Sequence, residues 1–182
     1  MSGLPLIGER VTVDALVESD LAAFVAYRQV PEIAQWQSWD TDYDLEQART
    51  LLATQQGWTV PPAGEWMQLA VRSADGTLLG DVALHHVADQ PDSYEIGFTL
   101  APAFHGLGYA TEAVTLLLEH VFGSLGAHRV FASLDARNLA SAAVLRRLGM
   151  RHESHQVEAD WFKDEWTTLD GYALLGSEYR AR

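Results

Sequence analysis

The stretch Tyr94–Ala113, YEIGFTLAPAFHGLGYATEA, constrains this chain more than any other. The apolar alternation from Tyr94 to Leu100 has the period of a strand with one buried face. Pro102 breaks that run, and His105-Gly106-Leu107-Gly108-Tyr109-Ala110 follows as a glycine-punctuated turn. A helical pattern then runs from Thr111 to Phe122, with Gly123 beyond it. Strand, tight turn and helix N-terminus together hold anions: small residues let the backbone approach, amides converge, and the helix dipole favours negative charge. Two glycines alone serve equally well as a sharp turn between strand and helix. Two common phosphate loops are excluded. No lysine follows the second glycine, and Thr111 stands where a dinucleotide-binding pattern has its third glycine, with no chain-opening strand before it.

A second block repeats the theme. A strand over Arg129–Asp135 leads to Asn138, a helix N-cap by type, and Gly149 ends the helix that follows. Taken alone, Asn138 is a cap and Ser141 a polar residue of a first turn. In their order along the chain, Tyr-x-Ile-Gly-Phe, Gly-Leu-Gly-Tyr-Ala-Thr-Glu-Ala and Asn-Leu-Ala-Ser resemble the GNAT acetyltransferases. The likeness is closest to the ribosomal-protein N-terminal acetyltransferase (RimJ/RimL-like) branch. It runs from about Arg10 to Tyr179 and includes the tail segments Trp161–Trp166 and Tyr172–Leu175. The glycine turn matches that family's pyrophosphate loop, Gln/Arg-x-x-Gly-x-Gly/Ala, with His105 in the first position instead of Gln or Arg.

The resemblance implies an α+β GNAT fold: a mixed, mostly antiparallel central sheet flanked by helices, with strands splayed around the cofactor. It implies acetyl-CoA as co-substrate, held by Phe98, Leu100, His105, Gly106, Leu107, Gly108, Tyr109, Ala110, Thr111 and Asn138. A backbone N–H near Phe98 to Leu100 is the expected oxyanion donor. Ser141 is the expected proton donor to the departing thiolate, and Asp160 the expected base. Glu95 is an alternative base, although strand alternation favours a solvated outward face for it, and water is a third carrier for the proton. With no cysteine, direct attack of the amine is favoured over an acyl-enzyme. The acceptor is a protein N-terminal amine or a small amine, and the competing reading is a catalytically weak acyl-CoA-binding sensor. The resemblance also leaves a homodimer open.

Length and composition set the bounds. The 182 residues, 48% hydrophobic and 20% charged, suit one domain over 1–182 with a single well-buried core. No apolar run reaches membrane-spanning length, the first residues lack the pattern of a signal peptide, and no cysteine is present, which fits a cytoplasmic protein. A net charge of −13 repels a phosphate backbone and excludes nucleic acid as the natural partner. It favours a cationic acceptor. Five of the 12 basic residues, Arg129, Arg137, Arg146, Arg147 and Arg151, crowd the second block. Carboxylates crowd 14–46 and 153–170, with Glu153, Glu158, Asp160, Asp164 and Glu165 around Trp161. An anionic cofactor on the arginine side and a cationic acceptor on the carboxylate side is the expected arrangement. Trp36, Trp39 and Trp161 are candidates for an aromatic wall around a cation. The histidines imply no metal: His85 and His86 face opposite sides of a strand, and His152 and His155 lack a third ligand in sequence.

The remaining pattern is coarse but ordered. A first strand covers 10–14, and Ser19 caps a helix reaching about Gln29. Asp44 and Gln47 form a capping box for a helix ending near Gly57. Strands over 67–72 and 78–87 join through Ala74-Asp75-Gly76. The order is β, α, α, β, β, β, α, β, α, β, β, with no repeat or linker.

Overall fold

The computed structural model describes residues 3–181. Eight strands form one sheet: β1 (Leu6–Ile7), β2 (Val11–Ala15), β3 (Trp66–Ser73), β4 (Leu78–His86), β5 (Ser93–Leu100), β6 (Arg129–Asp135), β7 (Arg151–Phe162) and β8 (Glu165–Leu175). Their spatial order is β1-β2-β3-β4-β5-β6-β8-β7. Every neighbouring pair is antiparallel except β5 and β6. The mixed, mostly antiparallel α+β sheet expected from the sequence is the one observed.

Helices cover both faces. On one side lie α1 (Leu21–Arg28), α2 (Pro31–Ala34) and α3 (Leu45–Thr54); on the other lie α4 (Tyr109–Glu119) and α5 (Leu139–Arg147). A short α6 (Gly176–Arg180) follows the last strand. In α4, Ala113, Val114, Leu117 and Leu118 recur at helical spacing and meet Val82, Leu84, Ile96 and Val130 of the sheet. The opposite face buries Leu21, Phe24 and Val25 against Tyr43, Ala48 and Ala70. The capping box of α3 forms as read, Asp44 Oδ1 accepting from Gln47 N–H at 2.9 Å and Gln47 Oε1 from Asp44 N–H at 2.8 Å.

Two local expectations change. Ser19 caps nothing, because 18–20 form a 3-10 turn whose entry is held by Asp20, Oδ2 accepting from Val17 N–H at 2.9 Å. The helix expected from Thr111 starts two residues earlier, at Tyr109, since Gly108 takes φ +85° and turns the chain straight into it. Beneath α1, Arg28 and Asp81 form a buried pair at 3.3 Å, and Tyr27 Oη donates to Asp81 at 2.5 Å. Burial, followed by the Asp81 charge, pushes the Tyr27 hydroxyl well above its ordinary value.

Candidate active site

The site begins where two strands part. β5 pairs with β6 only through Ser93, Tyr94 and Glu95, opposite Arg129, Val130 and Phe131. Beyond Glu95, β5 stays registered on β4 to Leu100, while β6 stays on β8 to Asp135. The sheet is therefore forked. Ala101 N–H donates to Leu79 O at 2.9 Å, which sets the phase of the β4–β5 ladder. By the alternation of an antiparallel ladder, Gly97 and Thr99 turn their N–H and C=O to β4, and Phe98 and Leu100 turn theirs into the fork. These amides are aimed where an oxyanion donor is needed.

At the open end of β5, a 3-10 turn (Pro102–Phe104) leads into the glycine loop and α4. No side chain caps α4, so its leading amides face the loop unpaired by any cap. His105 is turned away from them: its Nε2 lies 2.8 Å from Leu100 O, to which it donates. The loop is braced instead from the start of β2. Arg10 Nε donates to Glu112 Oε2 at 2.8 Å and Nη1 to Leu107 O at 2.9 Å. Glu112 Oε1 accepts from the amides of Arg10 at 2.6 Å and Val11 at 3.2 Å. Burial alone would raise the Glu112 carboxyl, but these donors outweigh it and hold it below its ordinary value.

Across the fork, Asn138 caps α5 with Oδ1 accepting from Ser141 N–H at 3.1 Å. Loop, fork and α5 enclose a cleft of about 880 Å³. Phe98, Leu100, all six residues from His105 to Ala110, Thr111, Asn138 and Ser141 line it, together with Arg10, Glu32, Trp36 and Arg147. Asp160 does not. It lies on β7 opposite Thr167, outside the lining residues. An elongated acyl-CoA suits this cleft: a bare helix N-terminus for phosphates at one end and a slot between strands at the other.

Glu95, the last β5 residue paired with β6, stands at the vertex of the fork. Its side chain is on the α1–α3 face and not in open solvent: 23% is exposed, and Oε2 lies 3.6 Å from His85 Nδ1. Burial raises its carboxyl above the ordinary value, against the opposing pull of His85. His85 stacks on Trp66 with ring centroids 4.9 Å apart, and its Nδ1 is buried without a hydrogen-bond partner.

The charge pattern of the sequence resolves differently in space. Arg129 and Arg151 both pair with Glu153, and Arg137 pairs with Asp135 and Glu165. Arg146 leans on Tyr172 Oη at 3.4 Å. Of the five crowded arginines only Arg147 lines the cleft, its Nη1 3.3 Å from Thr111 Oγ1. The same ion pairs neutralise Glu153 and Glu165, so the carboxylates around Trp161 do not form one free acidic wall. Trp39 is no cation wall either: its ring covers the Arg28 guanidinium at 3.7 Å and its Nε1 donates to Arg28 O at 3.2 Å. Trp36 lines the cleft, whereas Trp161 pairs edge-on with Trp166 on the β7–β8 hairpin. His152 and His155 do meet a third group, Asp170 Oδ1 at 3.1 and 2.7 Å. Among the described residues, however, no group of three or more such side chains is arranged to hold a metal.

Sequence reasoning missed Arg10, Glu32 and Arg147 as cleft residues. Arg10 and Glu32 come from segments with no motif, far in sequence from the loop they meet. Arg147 sat inside a noted cluster, but nothing in the pattern separated it from its neighbours.

A forked sheet with an uncapped helix behind a glycine loop defines an acyl-transfer scaffold. Residues 10–151 match the family model described as the acetyltransferase (GNAT) domain, and the chain belongs to that family. It is similar to the uncharacterized N-acetyltransferase p20 of Bacillus licheniformis, 25% identical over 96% of this chain and 97% of that one. It is also similar to the uncharacterized N-acetyltransferase YnaD of Bacillus subtilis, 33% identical over 48% of this chain and 51% of that one. The chain thus spans about half the length of YnaD and nearly all of p20. Among solved structures, a GNAT-family acetyltransferase from Bacillus anthracis superposes with TM-score 0.84, at 23% identity over 96% of this chain and 100% of that one. Spermidine N-acetyltransferase from Vibrio cholerae, in complex with CoA and spermine, gives 0.81 at 19% identity over 93% and 98%. Mycobacterium smegmatis RimJ, in complex with CoA-disulfide, gives 0.79 at 22% identity over 92% and 83%. At these identities the structural likeness establishes the fold.

Proposed function

We propose that this protein is an N-acetyltransferase of the RimJ/RimL-like branch, moving an acetyl group directly from acetyl-CoA to a primary amine. The observation that carries the reading is the fork. Its open arm presents the Phe98 and Leu100 amides, one end meets the uncapped N-terminus of α4, and Ser141 lies across it on α5. The leading amides of α4 and the backbone of 105–111 hold the pyrophosphate, and Asn138 holds the pantetheine arm. Acetyl-CoA supplies the activated acetyl group as a thioester. Phe98 and Leu100 N–H stabilise charge on its carbonyl oxygen, a role commonly worth about 3 kcal/mol per donor. Ser141 gives its proton to the leaving thiolate.

The base is a carboxylate outside the cleft's lining, since neither Asp160 nor Glu95 is among those residues. Between Asp160 and Glu95, the surroundings favour Glu95: it stands at the vertex of the fork, half-buried, with its carboxyl raised toward the range useful for taking a proton from an amine. The acceptor is a protein N-terminal amine or a small amine. Glu32 on the cleft wall, Glu95 and the net charge of −13 favour a cationic one. Residues 1–182 act as one domain, because β7 and β8, which lie almost wholly past the matched residues, are strands of the same sheet. We place it in the cytoplasm on its cysteine-free sequence. No described helix is long and apolar enough to cross a membrane.

The test is CoA release from acetyl-CoA across a panel of polyamines, amino acids and peptides with free N-termini. Turnover with at least one cationic amine, with KM rising as salt rises, is the expected outcome. Tight acetyl-CoA binding with no turnover on any amine would instead favour an acyl-CoA-binding sensor.

A further inference from the structure

We propose that Arg10 is a pyrophosphate-binding residue, supplying from β2's leading edge the cation that the glycine loop itself lacks; this rests on the acetyl-CoA reading above. The loop's first position holds His105, whose Nε2 is committed to Leu100 O at 2.8 Å. It offers the phosphates neither a fork of donors nor a fixed charge. Arg10 does both. Its Nε and Nη1 are fixed by Glu112 and by the carbonyl of Leu107, and its guanidinium lies 5.1 Å from the Tyr109 ring. Nη2 has no hydrogen-bond partner among the described residues. It is the atom nearest to where a Cβ on Gly108 would stand, at 3.1 Å. The remaining donor therefore lies against the glycine where the loop becomes α4, on the wall of the cleft.

The arrangement is pre-organised. A guanidinium locked at two nitrogens loses little freedom when the third engages an anion, and its planar geometry suits phosphate oxygens. Arg10 also offsets the Glu112 carboxylate, which would otherwise oppose an anion at the first turn of α4. Arg147 brings a second cation to the cleft from α5, its Nη1 3.3 Å from Thr111 Oγ1. The pyrophosphate thus meets two arginines, one of them 97 residues from the carbonyl that orients it.

Calorimetric titration of CoA and of pantetheine, which lacks the pyrophosphate, tests this with wild type, R10Q and R10K. For R10Q we expect CoA to bind about tenfold more weakly, the low end for a charged hydrogen bond, because the arginine is half-exposed. The slope of log Kd against log salt should flatten, and pantetheine affinity should stay unchanged. R10K should keep the wild-type slope while losing part of the affinity. Unchanged CoA affinity in R10Q would overturn the proposal. A weaker Kd with an unaltered salt slope would also overturn it, since that result means a displaced loop and not a lost charge. If wild type binds no CoA, the acetyltransferase reading itself falls, an outcome distinct from either. Melting curves of each variant confirm that the titrations compare folded proteins.

Discussion

Asn138 has two jobs in this account, and one pair of substitutions separates them. Its Oδ1 is spent on the cap, accepting from Ser141 N–H at 3.1 Å, which leaves the amide NH2 for the cofactor. Replacing Asn138 with Ala removes both functions. Loss of the cap costs about 1 kcal/mol, which for a chain of this size lowers Tm by roughly 2–4 °C. Replacing it with Asp keeps an acceptor oxygen in place and adds negative charge at the start of α5, favourable by about 0.3–1 kcal/mol. The Asn138→Asp protein should therefore melt at or slightly above the wild-type temperature. It has lost the NH2 donor, however, and a neutral hydrogen bond contributes about 0.5–1.5 kcal/mol, so CoA should bind some three- to tenfold more weakly. Thermal melts without ligand and calorimetric titration with CoA read the two effects independently. Wild-type CoA affinity in Asn138→Asp, with its Tm intact, would show that Asn138 is a cap and nothing more.

Two further outcomes follow from specific contacts. A Cβ on Gly80 would stand 2.1 Å from Thr99 O and 2.6 Å from Leu100 Cα, both backbone atoms that cannot swing aside. Gly80→Ala should thus cost about 4 kcal/mol or more and lower Tm by roughly 10 °C; a melt within two or so degrees of wild type would refute that contact. If Glu95 is the base, the acidic limb of kcat/KM lies above the usual carboxylate range, because burial raises its pKa: activity falls as pH drops through that value, and Glu95→Gln should lose both the limb and most of the rate. A carboxyl whose folded pKa is raised opposes folding once ionised, so stability falls as pH rises through the window, and Glu95→Gln should be no less stable than wild type at neutral pH. An unchanged pH profile in Glu95→Gln would return the role to Asp160 or to water.

Much of the fold was legible because it is written locally. The capping box of Asp44 and Gln47, the Asn138 cap, the β3–β4 hairpin and the exact span of β6 each depend on residues within a few positions of one another. The glycine loop was legible for the same reason, since φ +73° at Gly106 and +85° at Gly108 are demands that sequence records as glycine. Where a short-range choice was degenerate, reading failed: Glu18, Ser19 and Asp20 all suit a helix start, and it is Arg72, brought there by folding, that fixes the Asp20 carboxylate where it also accepts from Val17 N–H.

The sequence by itself determined the alternation of strands and helices, the anion-binding turn and the family that the ordered motifs define. The tertiary structure alone decided which charges act. Five arginines close in sequence end in different places, two sharing Glu153, one on Asp135 and Glu165, one on Tyr172 and one on the cleft wall, because they stand on different strands, a loop and a helix that spreads its residues around an axis. Arg10 reaches the loop only because β2 begins beside α4, a contact between residues a hundred positions apart. Glu95 becomes a half-buried carboxylate at a fork only because β5 follows β4 while β6 follows β8. Local preference selects the elements, but long-range packing sets the distances between side chains, and electrostatics depends on distance.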